Sequence, residues 1–322
     1  AMTPPPAPTR LIAGCGYLGH RVAASWQGCG HSVHAVTRSA ERASAFRAEG
    51  FNPVMLDLAE PTTGDLPDAD VVLWAVGFDR SAGVPREQVW LYGLRWLVEN
   101  LASSPRRFVY VSSTSVYGEG NGEVVDEFTE TNPVTEGGIC CVKAERLLRD
   151  TCAKRHPATQ VVVLRLAGIY GPNRLLRRVT DLRERNHLQG NPDDWLNLIH
   201  VDDAVRMVNY VADAANVPDV INVVNHHTVT RRQYYSALAA LVSAPPPVFQ
   251  SPDEADATTS SRQRTRGGNK RVTSSHRDEI DAEIARLSSQ GLRTLATAVR
   301  IVDERDEAAA IADPMAAVSD LV

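Results

Sequence analysis

The chain has 322 residues, 43% of them apolar and 23% charged, with a formal net charge of −5. That composition fits a globular protein of about two domains with a sizeable core, and the charge balance excludes an overall basic field for nucleic acid or an acidic membrane surface. The five cysteines (Cys15, Cys29, Cys140, Cys141 and Cys152) form no CxxC pair, which argues against a disulfide framework or structural zinc and for a reducing, cytoplasmic setting.

In chain order, residues 1–8 are Pro-rich and are expected to be disordered, without the basic-then-apolar pattern of a secretion signal. No apolar run reaches the length needed to cross a bilayer. Strands are predicted at Arg10–Ala13, Ser32–Thr37, Pro53–Leu56, Val71–Val76, Phe108–Ser112 and Val161–Leu166, with helices at Tyr17–Gln27, Ala40–Glu49, Pro85–Leu101 and through Lys143 to Arg155. This alternation implies βαβ units and an α/β fold, a Rossmann-type doubly wound parallel sheet over 9–170. The continuous apolar runs VVLWAV and VVVLRL suit its central strands. Regularity weakens beyond 170. There, helices at Asp202–Ala214 and Arg231–Ser243 flank a strand at Val220–Val224, and 171–275 reads as a smaller substrate-binding region. Residues 244–270 form a long loop rich in Pro, Ser, Thr and Arg, and 276–322 a helical tail.

Gly14-Cys15-Gly16-Tyr17-Leu18-Gly19 follows the first strand and opens the first helix. The first glycine permits a tight turn, the second a close approach of backbone to a pyrophosphate, and the third close helix–strand packing. Helix N-terminal amides and the helix dipole then favour phosphate charge, so the loop is expected to bind a nicotinamide dinucleotide. At the end of the second strand stands Val36-Thr37-Arg38-Ser39, without the acid that would accept a bond from a ribose 2′-hydroxyl. Arg38, next to Thr37, suits a 2′-phosphate, which selects NADP over NAD.

With these residues in hand, the chain resembles the short-chain dehydrogenase/reductase superfamily in its extended, epimerase/dehydratase-like branch over about residues 9–275. The likeness rests on GCGYLG, MLDL (55–58), VVLWAVG (71–77), FVYVSSTSVYG (108–118), LRLAGIYGP (164–172) and LIHVDD (198–203) in order. By that resemblance Asp57 and Leu58 contact the adenine, and Ala75, Val76 and Gly77 border the adenosine ribose and phosphates. Ser113 orients the substrate, with Ser112 beside it. Ala167 and Ile169, with Arg165, Tyr170 and Gly171, close the nicotinamide end. His200, Asp202 and Asp203 read as a structural hinge.

The family's chemistry needs a tyrosine four residues before a lysine, so that both reach one helix face. Lys143 has the right setting, but position 139 is isoleucine, which has no proton to give. Three explanations stand open: an atypical member keeping the cofactor fold, another proton donor (Tyr117, Tyr170, or less aptly Cys140 or Cys141), or a cofactor-binding sensor or scaffold without turnover. The resulting expectation is an oxidoreductase or isomerase acting on a nucleotide sugar or small carbonyl compound. It has no metal, no nucleic-acid partner and no membrane partner. The resemblance also implies that the helix carrying Trp90, Leu94 and Leu97 and the one bearing Lys143 can form a homodimer interface.

Downstream, the arginine-rich stretch 174–185 reads as a solvated helix face or an anion-capturing surface. GGNKRVTSS (267–275) resembles the closing segment of the same branch, which implies Lys270 and Arg271 as basic residues facing the substrate. The tail from His276, with QGLRTLATA at 290–298, resembles part of the nucleotide-binding domain of P-type cation ATPases. It contains none of the phosphorylation or transmembrane parts, so no pump activity follows.

Overall fold

The structure, a computed structural model, describes residues 7–62, 66–174, 176–225, 228–250, 269–280 and 282. In chain order its elements begin β1 (Thr9–Ala13), α1 (Tyr17–Gly28), β2 (Ser32–Thr37), α2 (Ala40–Ala48), β3 (Asn52–Met55), β4 (Val71–Trp74), α3 (Leu94–Glu99) and β5 (Arg107–Ser113). They continue with β6 (Asn121–Val125), α4 (Glu136–Arg155), β7 (Gln160–Leu166), β8 (Gly168–Tyr170), α5 (Leu176–Arg183), β9 (Leu188–Gln189), β10 (Trp195–Leu196) and β11 (Leu198–His200). The remainder are α6 (Val201–Asp213), β12 (Val220–Val223), β13 (Val229–Thr230), α7 (Arg231–Leu241), β14 (Phe249–Gln250) and β15 (Asn269–Val272).

Seven strands form one sheet in the order β12-β7-β5-β4-β1-β2-β3, with the pairs from β3 across to β5 parallel. Every residue of β4 is buried, as expected of an apolar run covered on both faces. The helices bury one stripe each. On α1 these are Leu18, Val22, Ala23 and Trp26; on α4 they include Cys140, Cys141, Ala144, Leu148 and Cys152. Cys140, Cys141 and Cys152, and Cys15 in the loop before α1, are thus simply core, each side chain removed from water. The order reverses between β1 and β4, which defines a Rossmann-type sheet whose ligand crevice lies at the carboxyl ends of those strands.

The described residues cluster into two compact units that interleave along the chain. One contains the residues up to Val116, Pro133–Arg165 and Val205–Ile221; the other contains Tyr117–Asn132, Leu166–Ala204 and those from Asn222 onward. The sequence reading divides the chain once near 170. By their contacts, most of α6 and the start of β12 group instead with the first unit, and 117–132 with the second. In the second unit β6 pairs with β15, β8 with β11, β9 with β14 and β10 with β13, and a separate core gathers Leu182, Leu188, Tyr235 and Leu238.

Two further expectations change. The helix read across Pro85–Leu101 is wound as a wider π helix over Gln88–Gly93 before continuing as α3. Gly93 allows this tight packing, since a Cβ there would stand 2.2 Å from the Leu58 carbonyl oxygen. The Lys143 helix begins at Glu136, two turns before the lysine, where the Thr135 hydroxyl accepts from the Gly138 amide and caps it. No helix among the described residues is long and apolar enough to cross a membrane. The linker 251–268 and the tail beyond 282 lie outside the described residues.

Candidate functional site

Each loop glycine meets its own steric demand. Gly14 has φ +90°, and a Cβ there would stand 2.4 Å from the Ala75 carbonyl carbon. A Cβ on Gly19 would stand 2.3 Å from the Gly14 carbonyl oxygen. Gly16 is the opposite case, with no atom among the described residues within 4 Å of where its Cβ would be. The outer two glycines therefore serve the packing of β1, α1 and β4, and the middle one leaves backbone open to an approaching group.

Gly16 is also the N-cap of α1, and no side chain caps that end; nor does the first turn carry an acid. Three other helices are capped by side chains: Ser39 accepts from the Arg42 amide at α2, Thr135 serves α4, and Thr230 with Gln233 forms a capping box at α7. First-turn amides need an acceptor, and at α1 the sequence supplies none from a side chain. This cradle fits a diphosphate, whose oxygens would take those amides at the positive end of the helix.

The other residues expected around the dinucleotide are placed as follows. Leu18 is buried, and Tyr17 carries the Arg21 guanidinium 4.2 Å from its ring centroid. Cys15 is buried and its thiol is pushed up to about 12, chiefly by desolvation, so it contributes backbone rather than sulfur chemistry. The Thr37 hydroxyl accepts from the Ser39 amide, 3.2 Å. Arg38 is half exposed and lies 3.6 Å from Asp79. Bonds from Ser81 foremost, and the Arg38 charge to a lesser degree, hold the Asp79 carboxyl below its ordinary range. Asp57 accepts from the Ala59 amide, 2.9 Å, in a tight turn, and Leu58 beside it is buried. The Ala75 amide donates to Ala13, joining β4 to the loop; Val76 is half-buried and Gly77 exposed.

Two residues that the sequence reading missed join this group. Arg42 donates to the Cys15 carbonyl and lies over the Phe46 ring, so a guanidinium reaches the glycine loop from α2. Its position three residues after the Ser39 cap, turned back toward β1, was the available signal. Asp79 supplies an acid at the second strand's end from another part of the chain, and no local pattern announces it.

The catalytic candidates separate. The Ser113 hydroxyl accepts from the Ser115 amide, 3.2 Å. Ser112 is buried and donates to Glu145, 2.6 Å, whose carboxylate holds Arg165 through two bonds of 3.2 and 2.8 Å. This buried trio ties β5, α4 and β7 together. Gly138 lets the first turn of α4 close on the segment after β5, since a Cβ there would stand 2.5 Å from the Ser115 oxygen. Ile139 follows, 40% exposed, where the resemblance expects tyrosine. Lys143, one turn on, donates to Glu87 at 2.7 Å, and that bond raises the lysine pKa. Pro85, Arg86, Glu87, Glu136, Ile139 and Cys140 wall a cleft of about 440 Å³ here. A second cleft, about 470 Å³ beside Thr9, Asp70 and Arg106, opens at the amino ends of the strands, away from where open α/β sheets bind ligands.

In the second unit Tyr117 has no exposed surface and donates to Asn222, 2.8 Å, so it is a core tyrosine and not the exposed proton donor the sequence suggested. Ala167 is buried with its amide on Val223, and Ile169 pairs with Ile199 between β8 and β11. The Tyr170 hydroxyl takes a bond from Asn225, 3.3 Å, and its ring meets His200 edge-on. His200 accepts from the Asp202 amide at the start of α6, a capping arrangement. Lys270 is buried and donates to the Tyr117 carbonyl, 2.8 Å, so it braces this unit rather than facing a substrate. Arg271 lies over Trp195.

The reversed sheet order and the glycine loop between β1 and α1 together define a Rossmann-type α/β fold. A sequence profile of the NAD dependent epimerase/dehydratase family matches residues 11–224, and the chain belongs to that family. It is 29% identical over 219 residues to protein YeeZ of Escherichia coli K12, covering 66% of this chain and 76% of that protein. Among solved structures, it superposes on a functionally unknown conserved protein from Silicibacter pomeroyi with a TM-score of 0.69 at 26% identity, over 94% of this chain and 99% of the other. It also superposes on the UDP-glucuronic acid 4-epimerase of Bacillus cereus, solved with NAD, with a TM-score of 0.65 at 18% identity, over 83% and 89% of the two chains.

Proposed function

We propose that this chain binds NADP in preference to NAD at the β1–α1 junction. It would use the cofactor in an oxidoreductase or isomerase reaction of the epimerase/dehydratase type on a nucleotide sugar or small carbonyl compound. One observation carries the reading: an open Gly16 at a helix start that no side chain caps. The dinucleotide, when bound, supplies hydride chemistry. The amides of Tyr17, Leu18 and Gly19 would hold its diphosphate, Asp57 and Leu58 its adenine, and Lys143 its nicotinamide ribose. Arg38 and Arg42 supply two cations near the end of β2. A 2′-phosphate would compete with Asp79 for Arg38 and gain Arg42 as a second partner. Ser113 would orient the substrate oxygen. Its small-molecule partner sets the protein apart from nucleic-acid and membrane binders, and a cytoplasmic homodimer is the expected form.

A second reading, a cofactor-binding sensor or scaffold without turnover, draws on Ile139 in the tyrosine's place and on Lys143 being paired with Glu87. Calorimetry with NADP and NAD, and mass spectrometry of dinucleotide retained through native purification, test the cofactor claim. Tighter binding of NAD would overturn the preference, and no heat with either would overturn the site. Oxidation of NADPH with a carbonyl substrate separates the enzyme from the sensor.

A further inference from the structure

Chemistry at position 139 needs a group that can take and return a proton, and the cleft beside that residue offers few. Ile139 has none. The Cys140 thiol is pushed up to about 11, by burial foremost and then by the Glu87 charge, so it stays protonated across the neutral range. Arg86 is held between the rings of Phe78 (4.1 Å) and Trp90 (5.0 Å), and a guanidinium is in general no proton carrier. Glu136 lies 3.6 Å from Arg86 and is three-quarters exposed. Glu87 remains. It lines the cleft with Ile139 and Cys140, and its carboxylate lies 2.7 Å from the Lys143 ammonium. The chain switches to π winding at the next residue, Gln88, and such local rewinding is frequent at functional sites.

We infer that Glu87 is the catalytic acid–base of this protein, doing from the helical residues just before the π winding what a phenol at position 139 would have done from α4. The inference rests on the proposed cofactor chemistry. In the oxidising direction the substrate O–H bond breaks and its proton passes to the Glu87 carboxylate. The carbinol C–H bond breaks with its electron pair, which leaves as hydride to the nicotinamide dinucleotide, and the C=O bond forms. Reduction, or the return half of an isomerisation, runs the same transfers backwards, Glu87 giving up the proton it holds. Lys143 is the positioning residue, holding the carboxylate by its single short bond. The charged and titratable groups facing Glu87 are Arg86 from its own helical segment and Glu136, Cys140 and Lys143 from α4.

The test has a covalent and a kinetic arm. A zero-length carbodiimide should join Glu87 to Lys143 in the free protein, seen as loss of one water and a linked peptide pair. In the kinetic arm, diacetyl with NADPH and UDP-glucose with NADP serve as probes. Glu87→Gln should lower kcat by about 100-fold or more and erase the acidic limb of the pH profile, with NADPH affinity moving less than about threefold. Glu87→Asp should restore part of the rate. Undiminished turnover in Glu87→Gln, an unaltered pH profile, or no linked pair would overturn the inference. A wild-type protein that binds NADPH but turns over neither probe would overturn it too, while leaving the cofactor reading intact. Failure to bind NADPH would remove the underlying reading as well.

Discussion

At the first turn of α1, three glycines each meet a distinct steric demand, and the helix end carries no competing side-chain cap. Along the exposed flank of α4, isoleucine stands where the family resemblance expects a phenol, and the lysine one turn on is paired with a carboxylate from another segment. The two regions belong to the same unit and flank the same sheet. On the proposed reading, holding a dinucleotide and moving a proton are separable demands. The first depends on backbone geometry, which few substitutions survive. The second depends on one side chain, which another residue can replace.

The contrast is sharpest if the glycine loop is attacked first. Gly19→Val places its branched side chain against the Gly14 carbonyl, where even a Cβ would be 2.3 Å away. The helix must shift, at a cost of about 3 kcal/mol. Denaturant melts should show this loss and calorimetry should show no dinucleotide binding; a native-like melt would mean that the loop does not pack as described. Gly16→Ala should behave differently. Its methyl meets no protein atom, so the melt should move by less than about 1 kcal/mol, the scale of a changed N-cap. Affinity should still fall by about 10- to 100-fold as charge-assisted bonds from the first turn are lengthened. Unchanged affinity in Gly16→Ala would show that the open face of the loop receives no phosphate.

Smaller still is the effect expected at the adenosine end. Arg42→Ala removes a guanidinium from the Cys15 carbonyl and from any 2′-phosphate. NADP affinity should fall by about tenfold with NAD affinity nearly constant, since only one of the two cofactors carries the added charge. Equal losses for both would reassign Arg42 to bracing the loop.

What could be read from the sequence follows the distance over which each feature is encoded. The β1–Gly14–Gly19–α1 junction occupies consecutive residues, and its steric logic is written in order. The central strands were equally plain, because burial on both faces demands unbroken apolar runs such as VVLW. The Glu87–Lys143 pair joins residues 56 positions apart, and no local pattern signals it. The buried bond from Tyr117 to Asn222 spans 105 positions, which is why a tyrosine near Ser113 in sequence passed for a proton donor. The π winding of Gln88–Gly93 escaped notice because its apolar spacing resembles that of an α-helix over so short a stretch. The β6–β15 pairing likewise joins two segments far apart in the sequence.

The smallest perturbation bears on the altered region itself. Ile139 is 40% exposed on α4, so Ile139→Tyr needs no room in the core, and stability should change by less than about 0.5 kcal/mol. The new phenol would stand one helical turn before Lys143, on the same face. If the rest of the site is intact, NADPH oxidation with diacetyl should rise, and the pH profile should gain a limb at the alkaline end where a tyrosine titrates. Combining Ile139→Tyr with Glu87→Gln makes the two proton donors compete directly: the phenol should recover part of the rate that the carboxylate's removal takes away. No gain in either background, with dinucleotide affinity unchanged, would mean that α4 has lost its alignment with the cofactor as well as its tyrosine. The intact glycine loop would then serve binding alone.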